Sequence, residues 1–312
     1  MTEQPIGVLV MAYGSPNRPE DILPYYTHIR GGRAPSPELL KDLEARYEAI
    51  GGSKLNQISM AQARSLGNEL NAAGDGRTYR IYFANRHWEP WIPDVVRQMA
   101  QDGIRQAVAL TLAPQGSRMS SDAYMEQVDA ANRELGEPIR FIKIRSWHLE
   151  PDFIRAQAQQ VEAALTRFPE ATRETLPVIF TCHSLPQRIL TWNDTYPVHL
   201  REMGEAIARE VGLKRIDFAY QSAGRTAEPW LGPDVAEKVA ELAAQGERAV
   251  LVCAAGFISD HLEVLYDLDI DLKAKAEQLG IHFERTPMLN DHPLLARALA
   301  SAVRRALREA AV

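Results

Sequence analysis

Three groups of side chains in this sequence are spaced for proton or metal chemistry. Glu263, Asp267 and Asp271 recur every four residues within Gly256-Phe-Ile-Ser-Asp-His-Leu-Glu-Val-Leu-Tyr-Asp-Leu-Asp-Ile-Asp271. On a helix they share one face, with Leu262, Leu265, Leu268 and Leu272 on the opposite one. Such a row either is a solvated acidic face or passes a hard cation or protons along. Val264, Tyr266 and Ile270 flank the acids, so apolar surface runs most of the way round, and a largely buried helix is expected. Buried carboxylates need a cation, a partner or a function. His183, in Cys182-His-Ser-Leu-Pro186, stands at the end of an apolar run. Alone it reads as structural; beside Glu263 it offers a base and a carboxylate, suited to deprotonation or to holding a borderline metal. Tyr13, in Met11-Ala-Tyr-Gly-Ser-Pro16, is either a turn aromatic or a weak oxygen donor.

These residues are set out by an alternation of strands and helices. Strand-like runs occur at Ile6–Ala12, Tyr79–Ala84, Ala107–Leu112, Ile139–Ile144, Val178–Cys182, Ile216–Tyr220, Ala249–Cys253 and His282–Arg285. Helical patterns lie between them, including Ser59–Ala73 with a Ser59/Gln62 capping box, and Ser259-Asp260 offers a cap for the acidic helix. Gly74, Gly103, Gly136, Gly212, Gly246 and Gly280 stand where helices should stop. Apolar runs alternating with helices predict parallel sheets covered on both faces.

The two halves resemble each other. Glu89-Pro-Trp recurs as Glu228-Pro-Trp, Ala107-Val-Ala-Leu110 as Ala249-Val-Leu-Val252, and Leu135-Gly136 as Leu279-Gly280. Val8–Pro16 matches Val178–Pro186, which pairs Tyr13 with His183. The expected fold is therefore α/β, with two similar Rossmann-like domains, each a four-stranded parallel sheet flanked by helices. The first spans 1–142 plus a returning C-terminal helix at 293–312, with an insertion at about 17–56. The second spans 143–292. Ligands of open parallel sheets bind beyond the carboxyl ends of the strands, so Tyr13 and His183 should face each other across a cleft.

Composition narrows the function classes. The chain has 312 residues, 46% hydrophobic and 24% charged, which is ordinary for a globular protein. A net charge of −6 argues against nucleic acid as a partner. No apolar run is long enough for a transmembrane segment. The start, Met-Thr-Glu-Gln-Pro, carries no basic, apolar signal region, and a cytoplasmic location is expected. Cys182 and Cys253 are too few for a four-cysteine zinc site or an iron–sulfur cluster and read as small buried hydrophobes. No Gly-x-Gly-x-x-Gly, Walker, His-Glu-x-x-His or Gly-x-Ser-x-Gly motif occurs, so no organic cofactor is implied. Arg30, Arg33 and Arg46 either are solvated or hold ligand carboxylates. Ser53 and Tyr124 add hydroxyls. Gln115–Asp122 is a small-polar loop that could receive an anion at a helix N-terminus.

With these motifs in place, the sequence resembles the ferrochelatase family. The matching stretches are Met11–Pro16, Tyr25-Tyr-Thr-His-Ile-Arg30, Arg46-Tyr-Glu-Ala-Ile-Gly-Gly52, His183-Ser-Leu-Pro186, Gln221-Ser222, Pro229-Trp-Leu-Gly-Pro233 and Ser259–Asp267. The first two look like the branch from Gram-positive and related bacteria that metallates coproporphyrin III. The resemblance implies that Fe2+ and coproporphyrin III are the substrates, that the ring lies between the domains, and that coproheme for haem synthesis is the product. It implies catalytic roles for His183, Glu263 and Tyr13. It also implies metal contacts at His183, Glu263, Asp267 and Asp271, with a possible auxiliary divalent metal at the acidic helix. Arg30, Arg46, Ser53 and Tyr124 match propionate-contacting positions. A monomer is expected, with at most transient contacts to other haem-pathway enzymes. Gln115-Gly116 stands where close relatives often have His-Phe, which is expected to loosen one pocket wall. Protoporphyrin IX, another tetrapyrrole and metal, or a non-catalytic porphyrin carrier of the same fold are the alternatives.

Overall fold

The computed structural model describes residues 4–311; residues 1–3 and 312, the ends of the expected first domain, lie outside the described residues. The apolar runs form strands β1 (Ile6–Ala12), β2 (Tyr79–Asn85), β3 (Gln106–Thr111), β4 (Arg140–Ile144), β5 (Val178–His183), β6 (Ile216–Gln221), β7 (Ala249–Cys253) and β8 (His282–Arg285). They make two four-stranded sheets, ordered β2-β1-β3-β4 and β6-β5-β7-β8. All neighbouring strands run parallel. Val8 to Met11 in β1 expose no surface, because helices cover both faces of the sheet. This is the expected doubled α/β architecture.

One apolar cluster runs through both halves, joining Val8 and Val108 of the first sheet to Phe153, Phe180 and Val303. Phe180 is fully buried there, and its truncation to Ala would destabilise by about 3–5 kcal/mol. Separate clusters lie on the outer faces of the first and second sheets. The C-terminal helix Pro293–Glu309 returns to β3, β4 and helix Leu55–Ala72, and also lies on helix Pro151–Leu165. Arg304 donates to the Glu69 carbonyl and Arg305 pairs with Glu150, fixing the helix to both neighbours.

Glycine punctuation is where the sequence placed it. Gly212 ends helix Tyr196–Val211 at φ 80°, with its N–H on the Ala208 carbonyl, a left-handed position that a side chain disfavours. The other five expected stops also have positive φ.

Three local expectations are corrected. The helix expected from Ser59 begins at Leu55. Ser59 and Gln62 therefore sit inside it, where backbone N–H groups already have helical partners, and they do not cap. Gln62 instead donates to Ser259 Oγ (2.9 Å) and the Asn290 carbonyl (2.6 Å) in the other half. The recurrence of Glu-Pro-Trp is not a structural equivalence. The Asn85 N–H bonds the Pro90 carbonyl, and the Tyr220 N–H bonds the Pro233 carbonyl. The equivalents are Pro90 and Pro233, four residues beyond the position that the shared tripeptide suggested. The same frame sets Ala12, opposite Asn85, against Cys182, opposite Tyr220. Tyr13 and His183 are thus equivalent, as the sequence indicated.

The third correction concerns the acidic helix. It starts at Leu262, with His261 rather than Ser259 or Asp260 at its N-cap. Ser259 Oγ accepts from Gln62, and Asp260 is held by Asn290. Over Asp267–Leu272 the turn widens, the Asp271 N–H reaching the Tyr266 carbonyl at 2.9 Å. A wide turn no longer superposes residues four apart. Leu262, Val264, Leu268 and Leu272 are buried as expected, whereas Ile270 is exposed.

Candidate active site

The carboxyl ends of the two sheets enclose a cavity of about 470 Å³. Tyr13 enters it from β1, Arg86 and His87 from the end of β2, His183 from β5, and Glu263 from the first turn of the acidic helix. Ser53 and Tyr124 also line it.

His183 carries its tautomer in its geometry. Its Nδ1 lies against the Ser184 carbonyl. A carbonyl only accepts, so Nδ1 holds the ring proton and Nε2 keeps its lone pair. The backbone of His183 is held by Tyr196, whose hydroxyl donates to the His183 carbonyl at 2.9 Å. Glu263 lines the same cavity but makes no hydrogen bond to His183; its nearest imidazole is that of His261, at 3.5 Å. The base and the carboxylate face one space from separate supports, because β5 and the helix after β7 enter it independently.

Tyr13 opens into the cavity with 41% of its surface free, its ring 4.5 Å from that of His87. Confinement between the cleft walls, and then the Glu263 carboxylate, push its hydroxyl up to about 12, with Arg86 pulling the other way. The phenol therefore stays protonated at neutral pH. Burial also pushes the Tyr124 hydroxyl well up. Ser53 Oγ donates to Ser15 Oγ at 2.9 Å.

The remaining ladder acids are engaged elsewhere. Asp267 accepts from Ser222 Oγ at 2.5 Å and from Arg46 Nη1 at 3.3 Å. Burial is the main cause raising its pKa. Arg285 forks onto Asp269 at 2.6 Å through both Nε and Nη2. Asp271 is half exposed and pairs with Lys275 at 2.8 Å. A divalent ion at the acidic helix would have to displace Ser222 and Arg46 from Asp267 and share Asp271 with Lys275. Of the three ladder acids, only Glu263 lines the cavity.

Arg46 is corrected with them. Its guanidinium lies between Asp42 (3.0 Å) and Asp267 (3.3 Å), over the Tyr266 ring, and it does not line the cavity. Arg30 sits just past the lining residue Ile29, 5.6 Å from the Tyr26 ring, and makes no ion pair among the described residues. Arg33 is exposed.

The Gln115–Asp122 loop does receive an anion, but ahead of the helix that starts at Ser121, and the anion is the protein's own. Asp194 accepts from Ser117 Oγ (3.0 Å) and Arg118 N (2.8 Å). Gln115 is buried against the cavity and a side chain at Gly116 would crowd the Arg145 carbonyl, so this wall is filled rather than loosened. Behind it, His148, His199 and Glu202 bring ligand atoms within 4.8 Å of one another. They do not fit a metal. The Gly116 N–H donates to His199 Nδ1 at 3.0 Å, which leaves the ring proton on Nε2, and His148 Nε2 faces Glu202 at 2.9 Å. Cys182 and Cys253 are buried free thiols, pushed up to about 12 by burial.

Sequence reasoning missed Arg86 and His87. Both follow β2 directly, and the rule that picked out Tyr13 and His183 from the ends of their strands would have found them there. Burial, then Arg86 and then His28, push the His87 pKa down to about 3, so it stays neutral.

The chain matches the family profile described as Ferrochelatase over residues 5–307. It is 44% identical to a ferrochelatase of Herpetosiphon aurantiacus, covering 95% of this chain and 97% of the relative. It is 43% identical to a coproporphyrin III ferrochelatase of Anoxybacillus flavithermus, covering 99% and 98%. Among solved structures it is similar in fold to SirB from Bacillus subtilis with Fe3+, at a TM-score of 0.62 and 12% identity, covering 97% of this chain and 96% of that one. Among the described residues, no helix is long and apolar enough to cross a membrane.

Proposed function

The chain belongs to the ferrochelatase family, and from that premise we propose that it inserts ferrous iron into coproporphyrin III to form coproheme. The observation that carries this reading is the pair of equivalent strand ends, Tyr13 and His183, meeting at one cavity with Glu263. The choice of ring is supported by the printed names of full-length relatives at 41–43% identity.

Metallation breaks two pyrrole N–H bonds and forms bonds from the ring nitrogens to iron, releasing two protons. The His183 Nε2 lone pair accepts a pyrrole proton, and the Ser184 carbonyl stabilises the resulting imidazolium through Nδ1. Glu263, the one ladder carboxylate facing the cavity, supplies the negative charge that draws Fe2+ in and takes up the second proton. Tyr13 holds the opposite face as a neutral phenol. No organic cofactor enters these steps.

The test is purified protein with coproporphyrin III and Fe2+ under anaerobic conditions, followed by absorbance. Conversion to metalloporphyrin bands is expected. Unchanged free-base bands would overturn the activity, and faster turnover of protoporphyrin IX would overturn the ring assignment alone.

A further inference from the structure

Arg86 is a cation in the cavity wall whose donors are almost unused. β2 ends at Asn85, and the Arg86 N–H bonds the Ala12 carbonyl at 2.9 Å. This anchors its backbone at the carboxyl edge of the first sheet, next to Tyr13. A guanidinium carries five N–H donors in a planar fork. Here Nη1 makes one long contact, 3.4 Å, to the Met119 carbonyl. Nε is enclosed and has no partner. Arg86 makes no ion pair among the described residues, whereas Arg46 and Arg285 each hold two carboxylates.

What Arg86 does touch is Tyr124, its guanidinium carbon lying 5.3 Å from the ring centroid. A cation–π contact of about 0.5–2 kcal/mol orients the group but satisfies none of its N–H donors. An enclosed charged donor without an acceptor is costly, so the half-buried guanidinium has donors to offer an entering anion. The phenol beside it, kept protonated by burial, is a second donor. A planar fork and a hydroxyl on one wall match a carboxylate better than a point anion.

We infer that Arg86, oriented by Tyr124, forms a carboxylate subsite in the cavity and makes it select rings rich in carboxylate side chains. This rests on the reaction proposed above. Arg86 is a binding and specificity residue; it supplies no base, because a guanidinium does not deprotonate.

The experiment uses the full-length protein and two metal-free probes, coproporphyrin III and its tetramethyl ester, with binding read from porphyrin fluorescence and turnover from absorbance. Arg86→Leu is expected to weaken coproporphyrin III binding about tenfold, with kcat within about twofold and ester binding unchanged. Arg86→Lys keeps the charge without the fork. It is expected to lose a few-fold for the free acid and nothing for the ester, and it serves if the Leu variant folds poorly. Wild-type affinity for coproporphyrin III in both variants overturns the inference. So does equal weakening of acid and ester, which would make Arg86 a support for the wall. The reading of the reaction fails separately, if the unsubstituted protein binds the ring and metallates nothing.

Discussion

Tyr13 and His183 leave equivalent strands at equivalent positions, and from there the two walls of the cleft diverge. On the His183 wall an imidazole has Nδ1 on the Ser184 carbonyl and Nε2 outside that bond, and the helix after β7 brings one carboxylate, Glu263, to the same space. On the Tyr13 wall a phenol is held protonated, and the end of β2 adds a cation, Arg86, backed by Tyr124. In the reaction proposed above one wall moves protons and meets a cation; in the subsite inferred above the other grips an anionic ligand. The duplication supplied position only. Chemistry came from what each half placed beside the strand end.

The most direct way to break this division is to truncate one residue of the equivalent pair and only trim the other. His183→Ala is expected to lower kcat about 10²–10⁴-fold, with porphyrin binding retained. Tyr13→Phe is expected to lower it less than about tenfold, since a phenol protonated up to about pH 12 offers no base. Single-turnover absorbance and fluorescence titration measure both, and the reverse order would sink the comparison. Glu263→Gln comes next, at about a hundredfold in kcat, and turnover against Fe2+ concentration reads it.

A smaller effect separates the halves in acid. Burial first pushes His87, on the Tyr13 wall, down to about 3 and His199, behind the Gln115 loop, down to about 4. His87 faces Arg86, His28 and Tyr13; His199 faces His148, with Glu202 and Asp194 acting to raise it. The unfolded chain takes up these protons near pH 6.5 and the folded chain does not. Their stability contribution is therefore complete above about pH 6.5 and is lost as pH falls towards 3–4. The unfolding free energy from urea titrations should be lower at pH 5 than at pH 7 by roughly 1 kcal/mol per histidine, after allowance for partial exposure. His87→Phe should flatten part of that fall; an unchanged pH slope would show that the imidazole is not held neutral. The smallest effects belong to the ladder's tail. Asp267→Asn should change kcat by about threefold or less, and Asp271→Asn should leave activity and stability within about 0.5 kcal/mol of the parent protein. A large loss from Asp271→Asn in the same turnover assay would restore the acids as a working row.

Much of this was legible beforehand, for reasons that particular residues show. Val8 to Met11 announce a strand buried on both faces because a parallel sheet leaves no polar side. Gly212 announces a helix end because its φ is one that side chains avoid. The shared Glu-Pro-Trp misled because a tripeptide match carries no register, which here is set by the Asn85 and Tyr220 hydrogen bonds. Ser59 misled because capping chemistry is visible in sequence while the helix start, four residues earlier, is not.

The sequence by itself determined the doubled α/β fold, the equivalence of Tyr13 with His183, and the family to which their motifs belong. Each of these depends on local pattern: run length, turn residues and repetition. Only the tertiary structure decided which charges are free. Arg46 looked like a ligand for substrate until a residue 221 positions away, Asp267, came to lie 3.3 Å from it. Arg86 drew no attention until it was seen to have no such partner. Whether a carboxylate or guanidinium is engaged depends on what the fold brings within about 4 Å, and spacing along the chain carries no record of that.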